Sequence, residues 1–490
     1  MKVAISYPPI PTSKGVPLLS QNRQFQYFNA PTFIYPMIPA AAATLLHAKG
    51  HDVIWDDAVS EQKDYKKWLR QMSKRNLDLI AIETKTPTVK WYWKVIDDIK
   101  EISPETTAVI YGDHVTAMPE ESLHNSNVDY VLTGGDYDLL INNLVEYLEG
   151  KSQLGSGVYW RENGGIKNTG KFETKFIDLN ALPMIDRELT KWKLYSVYNG
   201  NYKVTPGTYT MFGRDCWYRA GGGCTFCSWT TTYPTFKCVS PERALDEVEH
   251  IASLGIREIF DDTGTFPVGP WLKKFCEGMI ERGLNKELYM GCNMRFGVLS
   301  QEEYNLMKKA NFRFVLYGLE SANQKSINML NKGVNSQQQV VSCRKASIAG
   351  LDPHLTVMFG YPWETRQDAM NTVKMVRLMM RKAYAKTLQA TIMIPYPGTS
   401  LFRQAKENGW LLTEDWDRYD MREPVLKTPY MKREEVMQCV QALYNVAFHP
   451  ELIYRKLTSI RNTDDLRFIM RAAKGVFGHL KDFNPKQLAI

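Results

Sequence analysis

An apolar leader is not expected at the start of this sequence. Its opening, "MKVAISYPPIPTSKG", lacks the apolar core and small-residue cleavage site of a secretory signal. No later stretch approaches the ~18 uninterrupted apolar residues of a membrane span. Low-complexity tracts are missing too, and 44% hydrophobic residues suit globular domains, of which 490 residues imply two or three. A formal charge of +8 is modest for this length, and no Lys/Arg block is interleaved with aromatics, so nucleic acid is not an expected partner. The first predicted strand is not followed by G-x-G-x-x-G, which argues against a dinucleotide. The expected compartment is the cytoplasm, where thiols stay reduced. Clustered cysteines there read as metal ligands or catalytic groups.

One cluster exists. "RDCWYRAGGGCTFCSW", residues 214–229, holds Cys216, Cys224 and Cys227 with no fourth cysteine nearby. The remaining five, Cys238, Cys276, Cys292, Cys343 and Cys439, are scattered and read as small buried hydrophobes. Soft thiolates suit zinc, copper(I) and iron–sulfur clusters, and such clusters usually take four cysteines. Three leave one iron open to a small molecule. A zinc site with a distant fourth ligand is the alternative.

Strand and helix signals alternate over residues 1–150, which predicts an α/β domain with an open, doubly wound, Rossmann-like parallel sheet. Ligands of such sheets lie outside the carboxyl ends of the strands, here the loops at 7–9, 83–87, 112–116 and 133–136. Residues 151–200 read as a connector, with "NGG" as a hairpin turn. Over 201–405 six strand–helix units predict a partial (β/α)6 TIM-type barrel, whose chemistry belongs in loops after the strands. The cysteine loop follows the first of them. Within this region Ser240, Pro241 and Gly255 mark a helix start and stop. Residues 406–490 read as a helical domain. Its last helix is expected to start with Thr463 as N-cap. Leu466, Ile469, Met470, Ala473, Val476, Phe477 and Leu480 share one face, and Arg467, Arg471 and Lys474 another. That face either packs on the barrel or touches a membrane surface or lipid-like substrate.

A cysteine trio after the first strand of such a barrel resembles the radical S-adenosylmethionine (SAM) superfamily. There a [4Fe–4S] cluster binds SAM at its open iron and cleaves it to a 5′-deoxyadenosyl radical. The usual C-x3-C-x2-C is C-x7-C-x2-C here, so "WYRAGGG" reads as the same loop with four residues inserted. "FDDTGTF", "YGLESANQKSINMLNKG", "FGYPWET" and "IPYPGTSLF" resemble successive barrel segments of the family. The resemblance implies Cys216, Cys224 and Cys227 as cluster ligands, and Phe226, Asp262, Arg295 and Glu320 around SAM. Residues 1–150 resemble the cobalamin-binding domain of one branch, which includes the anaerobic magnesium-protoporphyrin ester cyclase, hopanoid-modifying enzymes and methyltransferases. That implies Gly112, Asp113, His114, Val115, Thr116, Gly134 and Gly135 around cobalamin. The usual G-G-x-H is Tyr111-Gly112-Asp113-His114 here, the usual G-E-G-E is Gly134-Gly135-Asp136-Tyr137, and there is no D-x-H-x-x-G to supply a histidine to cobalt. The implied activity is cobalamin-dependent methyl transfer to an unactivated carbon. The alternatives are radical cyclisation, oxidation or ring contraction, or a first domain that has lost cobalamin. The implied partners are a small-molecule substrate, lipid-like or a natural-product intermediate, and a one-electron reductant such as flavodoxin or ferredoxin.

Overall fold

The computed structural model describes residues 1–18, 25–173 and 178–483. Residues 174–177 of the expected connector lie outside them.

The first domain is a parallel sheet built from β1 (Lys2–Tyr7), β2 (Asp52–Asp57), β3 (Leu79–Thr84), β4 (Thr107–Gly112) and β5 (Tyr130–Leu132), in the order β2-β1-β3-β4-β5. All six residues of β3 are buried, as expected for a central strand covered by helices on both faces. The helices Met37–Ala48 and Val89–Ile102 lie between its strands in the chain. The connector departs from expectation. Its hairpin, β6 (Val158–Glu162) and β7 (Gly165–Asn168), extends this sheet antiparallel from β5. Asn163 and Gly164 form its two-residue turn with φ of 52° and 76°, the conformation an Asn-Gly pair tolerates best.

The second domain is a curled sheet of six parallel strands in sequential order: β8 (Gly207–Thr210), β9 (Glu258–Asp261), β10 (Tyr289–Met294), β11 (Phe312–Glu320), β12 (Asp352–Phe359) and β13 (Thr387–Ile392). Caps set its helices. Ser240 accepts from the Arg243 amide at 3.1 Å, with Pro241 in the first turn. Ser300 and Glu303 cap each other's ends reciprocally. The partial barrel leaves β13 at an edge, which the tail covers. The Tyr444 hydroxyl accepts from the Ala390 amide and donates to its carbonyl, both at 3.0 Å.

The last helix, Thr463–Asp482, corrects one expectation. Its N-cap is Asn462, whose side chain accepts from the Asp465 amide at 2.9 Å; Thr463 is already helical. Its expected apolar face is divided. Val476 and Leu480 pack on the core, while Met470 and Phe477 stand 63% and 57% exposed. Arg471, expected on the basic face with Arg467 and Lys474, reaches the Tyr202 carbonyl at 2.9 Å.

The two domains are joined by buried charge. Arg214, just past β8, donates to Asp136 at 2.8 Å and to both carboxylate oxygens of Asp138, at 2.9 and 2.6 Å. All three side chains are at most 5% exposed. Trp416 adds a second tie, donating to Glu121 at 2.8 Å. Removing one partner of a buried pair strands the other, so Arg214→Ala should cost about 3–5 kcal/mol of stability, read by chemical denaturation. A loss under about 1 kcal/mol would mean that water reaches the pair.

Candidate functional site

The cysteine loop is closed at its root. Gly213–Arg214 pairs antiparallel with Lys237–Cys238, so residues 215–236 leave and return at one point on the barrel rim. The glycine run sets the loop's path. Gly221, Gly222 and Gly223 take φ of 59°, 87° and 82°, a succession of left-handed residues that side chains with a Cβ resist. The turn points its carbonyls at one group. The Asn331 side-chain amide donates to Ala220 at 2.8 Å, Gly221 at 3.2 Å and Gly223 at 2.8 Å. Asn331 follows β11, so the lengthened loop docks on the barrel. On its other side Arg219 donates to the Asp215 carboxylate and to the carbonyls of Trp229, at 3.2 Å, and Tyr233, at 2.7 Å.

All three cysteines are free thiols on this loop. Cys216 Sγ lies 3.1 Å from the Thr265 hydroxyl. Gly264 makes that approach possible, because a Cβ there would stand 2.8 Å from the Asp215 carbonyl and 2.9 Å from the Cys216 Cβ. Burial pushes the Cys224 thiol up, against the pull of Lys332 and Arg295 toward thiolate. Among the described residues no group of three His, Cys, Asp or Glu side chains could hold a single metal ion. A cuboidal cluster bonds each thiolate to a different iron, so its ligands need not converge on one point. The soft donors and nearby cations fit a [4Fe–4S] cluster. Of the other cysteines, Cys276, Cys292, Cys343 and Cys439 are buried, as expected of hydrophobes, and burial pushes the Cys439 thiol to about 11.

Beside the loop, three of the four SAM candidates meet around Lys332. Glu320 ends β11 at a bulge with φ of 62°. It pairs with Lys332 Nζ at 2.5 Å, both side chains being under 10% exposed. Gly318 leaves room for the pair; a Cβ would lie 2.3 Å from the Glu320 carboxylate and 2.7 Å from Lys332 Nζ. Arg295 donates to the Lys332 carbonyl and stacks on the Tyr218 ring, 3.6 Å from its centroid. Lys332 Nζ lies 6.0 Å from the centre of the Phe226 ring. Asp262 is buried at the end of β9 and accepts from Asn293 at 3.2 Å. The neighbouring Asp261 is structural. Burial raises its pKa to about 6 while it accepts from Thr210, Phe212 and Thr263. Sequence reasoning named Glu320 but passed over Lys332, although "LNKG" stands in the same segment.

The first-domain candidates occupy the strand ends facing this loop. Gly112 has φ of 123°, and a Cβ there would lie 2.3 Å from the Thr84 carbonyl. Asp113 faces protein: it accepts from Lys85 at 3.2 Å and from Ser228 of the cysteine loop at 3.4 Å. Both His114 nitrogens are engaged, Nδ1 with Thr86 at 3.2 Å and Nε2 with Glu121 at 2.8 Å. Val115 is core. Thr116 donates to the Gly112 carbonyl and accepts from the Gly134 amide. Gly134 and Gly135 form a cradle already filled, by the Phe172 ring at 2.4 Å and the Tyr233 ring at 2.3 Å from their virtual Cβ positions. Cobalamin fits this cradle only with those two rings displaced.

Residues 211–376 match the Radical SAM superfamily model. The chain is 25% identical to an uncharacterized methyltransferase, PH0819, of Pyrococcus horikoshii, over 80% of its own length and 83% of that protein's. It is 23% identical to the anaerobic magnesium-protoporphyrin IX monomethyl ester cyclase of Rubrivivax gelatinosus, over 84% and 73%. Its fold matches the cobalamin-dependent SAM radical enzyme OxsB, at a TM-score of 0.69 and 13% identity, over 97% of this chain and 72% of that one.

The glycine turn can be tested by itself. Gly222 has open space around a Cβ, so Gly222→Ala isolates backbone strain, at about 1–2 kcal/mol. Faster amide exchange over 219–225 with the rest of the barrel unchanged is the expected result.

Proposed function

We propose that this enzyme, whose residues 211–376 are a radical SAM domain, is a cobalamin-dependent methyltransferase acting on an unactivated carbon of a small molecule. The observation that carries the radical SAM part is the juxtaposition of three free thiols on one loop after β8 with the Phe226–Arg295–Glu320–Lys332 group beside them. Cys216, Cys224 and Cys227 would hold a [4Fe–4S] cluster at three of its irons, and the chemistry it would supply is one-electron reductive cleavage of SAM.

The chain's own residues do the positioning. Phe226 offers a flat apolar face to adenine. Arg295 presents a planar fork suited to the SAM carboxylate. Glu320, held by Lys332, and Asp262, held by Asn293, are acceptors for ammonium or ribose hydroxyls. The first domain is tied to the root of the loop through Arg214. Cobalamin would supply the methyl group, and the residues offered to hold it are Gly112, Asp113, His114, Val115, Thr116, Gly134 and Gly135, with the Phe172 and Tyr233 rings moved aside. The resemblance to PH0819 supports methyl transfer, and that to OxsB supports cobalamin. The cyclase relative leaves ring chemistry as the alternative outcome. The working surroundings are the cytoplasm, with flavodoxin or ferredoxin as electron donor. The exposed Met470 and Phe477, with Arg467 and Lys474 on the same helix, suit shallow contact with an anionic membrane or a lipid-like substrate.

One observation favours a second reading. The filled glycine cradle suits a first domain that acts as a lid without cobalamin. Equilibrium binding separates the two. Tyr233→Ala should bind hydroxocobalamin at least tenfold more tightly than the parent if the ring only guards the cradle. No binding by either protein would leave the lid reading.

The decisive experiment for the first reading is anaerobic turnover with methyl-labelled SAM. Single Cys216→Ala, Cys224→Ala and Cys227→Ala variants should each lose iron and 5′-deoxyadenosine formation. Full activity in the Cys216 variant would refute the ligand set, and label that stays off the substrate would refute methyl transfer.

A further inference from the structure

We propose that the residues inserted between the first two cysteines form a wall of the SAM pocket, with Tyr218 as a positioning residue that fixes the plane of Arg295 for the SAM carboxylate. This rests on the radical SAM reading above.

The contacts all run one way. Tyr218 lies in the inserted "WYRAGGG" segment. Its ring covers the Arg295 guanidinium at 3.6 Å, a stacked distance for a planar cation. Its hydroxyl rests over Gly333, where a Cβ would lie 2.2 Å away, so the loop after β11 is shaped to receive the ring. Arg295 is 8% exposed and spends one donor on the Lys332 carbonyl. Stacked on one face and hydrogen-bonded on one edge, the guanidinium keeps a single orientation. The rest of its donor fork remains for an anion. The segment itself is held on both sides, by Asn331 at the glycines and by Arg219 on the Asp215, Trp229 and Tyr233 groups. A free bulge would have none of these ties.

The test uses the anaerobically reconstituted full chain and reads iron content and equilibrium binding of two ligands, SAM and decarboxylated SAM. Parent protein that lacks iron or binds no SAM would refute the functional reading itself. With that established, Tyr218→Leu should keep its iron and bind SAM roughly 5- to 30-fold more weakly, the loss of one desolvated cation–π contact. Decarboxylated SAM should be bound as by the parent. Tyr218→Phe keeps the ring and should match the parent for both ligands. Arg295→Lys leaves the loop untouched, removes the planar partner, and should reproduce the Tyr218→Leu pattern. Equal weakening of both ligands, or unchanged SAM binding in Tyr218→Leu, would overturn the proposal. Iron loss confined to Tyr218→Leu would overturn it as well, by assigning the residue to the cluster loop.

Discussion

The buried pairing of Arg214 with Asp136 and Asp138 is the constraint on which the arrangement depends. It ties the end of the first barrel strand to the loop after β5 of the first domain. One residue on, Asp215 has turned to φ of 83°, and the next residue is Cys216. A charge placed there at several kcal/mol of desolvation cost holds only because both carboxylates are complete partners. The same pair therefore sets where the cysteine loop begins and how closely the first domain covers it.

From that fixed root the loop can afford extra length. Four added residues would ordinarily lower the precision of a ligand set, since a longer loop has more conformations to lose. Here the added backbone is absorbed by three positive-φ glycines, and the carbonyls of Ala220, Gly221 and Gly223 converge on the Asn331 amide. The interval lies against the barrel mouth, where Tyr218 stacks on Arg295 and Arg219 bonds Asp215, Trp229 and Tyr233. Arg219 also reaches the Tyr233 carbonyl, and the Tyr233 ring fills the cradle at Gly135. The cysteine loop and the strand ends of the first domain thus share a residue.

Much of the architecture was legible from local chemistry. Ser240 and Pro241 announced a helix, Asn163-Gly164 a hairpin, and short apolar runs the parallel strands. Where local signals were ambiguous, the reading slipped by little. Asn462 and Thr463 both favour capping, and the choice fell to Asn462, which reaches the Asp465 amide. That the hairpin joins the first sheet was not legible, because an edge position depends on which strand is left unpaired. Nor was the division of the last helix, whose face packs only where another surface meets it.

The site divides along the same line. Sequence determined the ligand chemistry, since three thiols within one loop and no fourth leave few uses for them. It also determined the candidates Phe226, Arg295 and Glu320, through motif resemblance. The tertiary fold decided what surrounds them. Lys332 gained its place by pairing with a residue twelve positions earlier across a bulge, and Tyr218 by stacking on Arg295 from another loop. The fold also decided that Phe172 and Tyr233 cover the first-domain glycines. Ligand identity is carried by side-chain type and short-range spacing, which a sequence displays. Ring stacking, ion pairing and cradle filling depend on distances between segments remote in the chain, and those exist only once both domains have folded together.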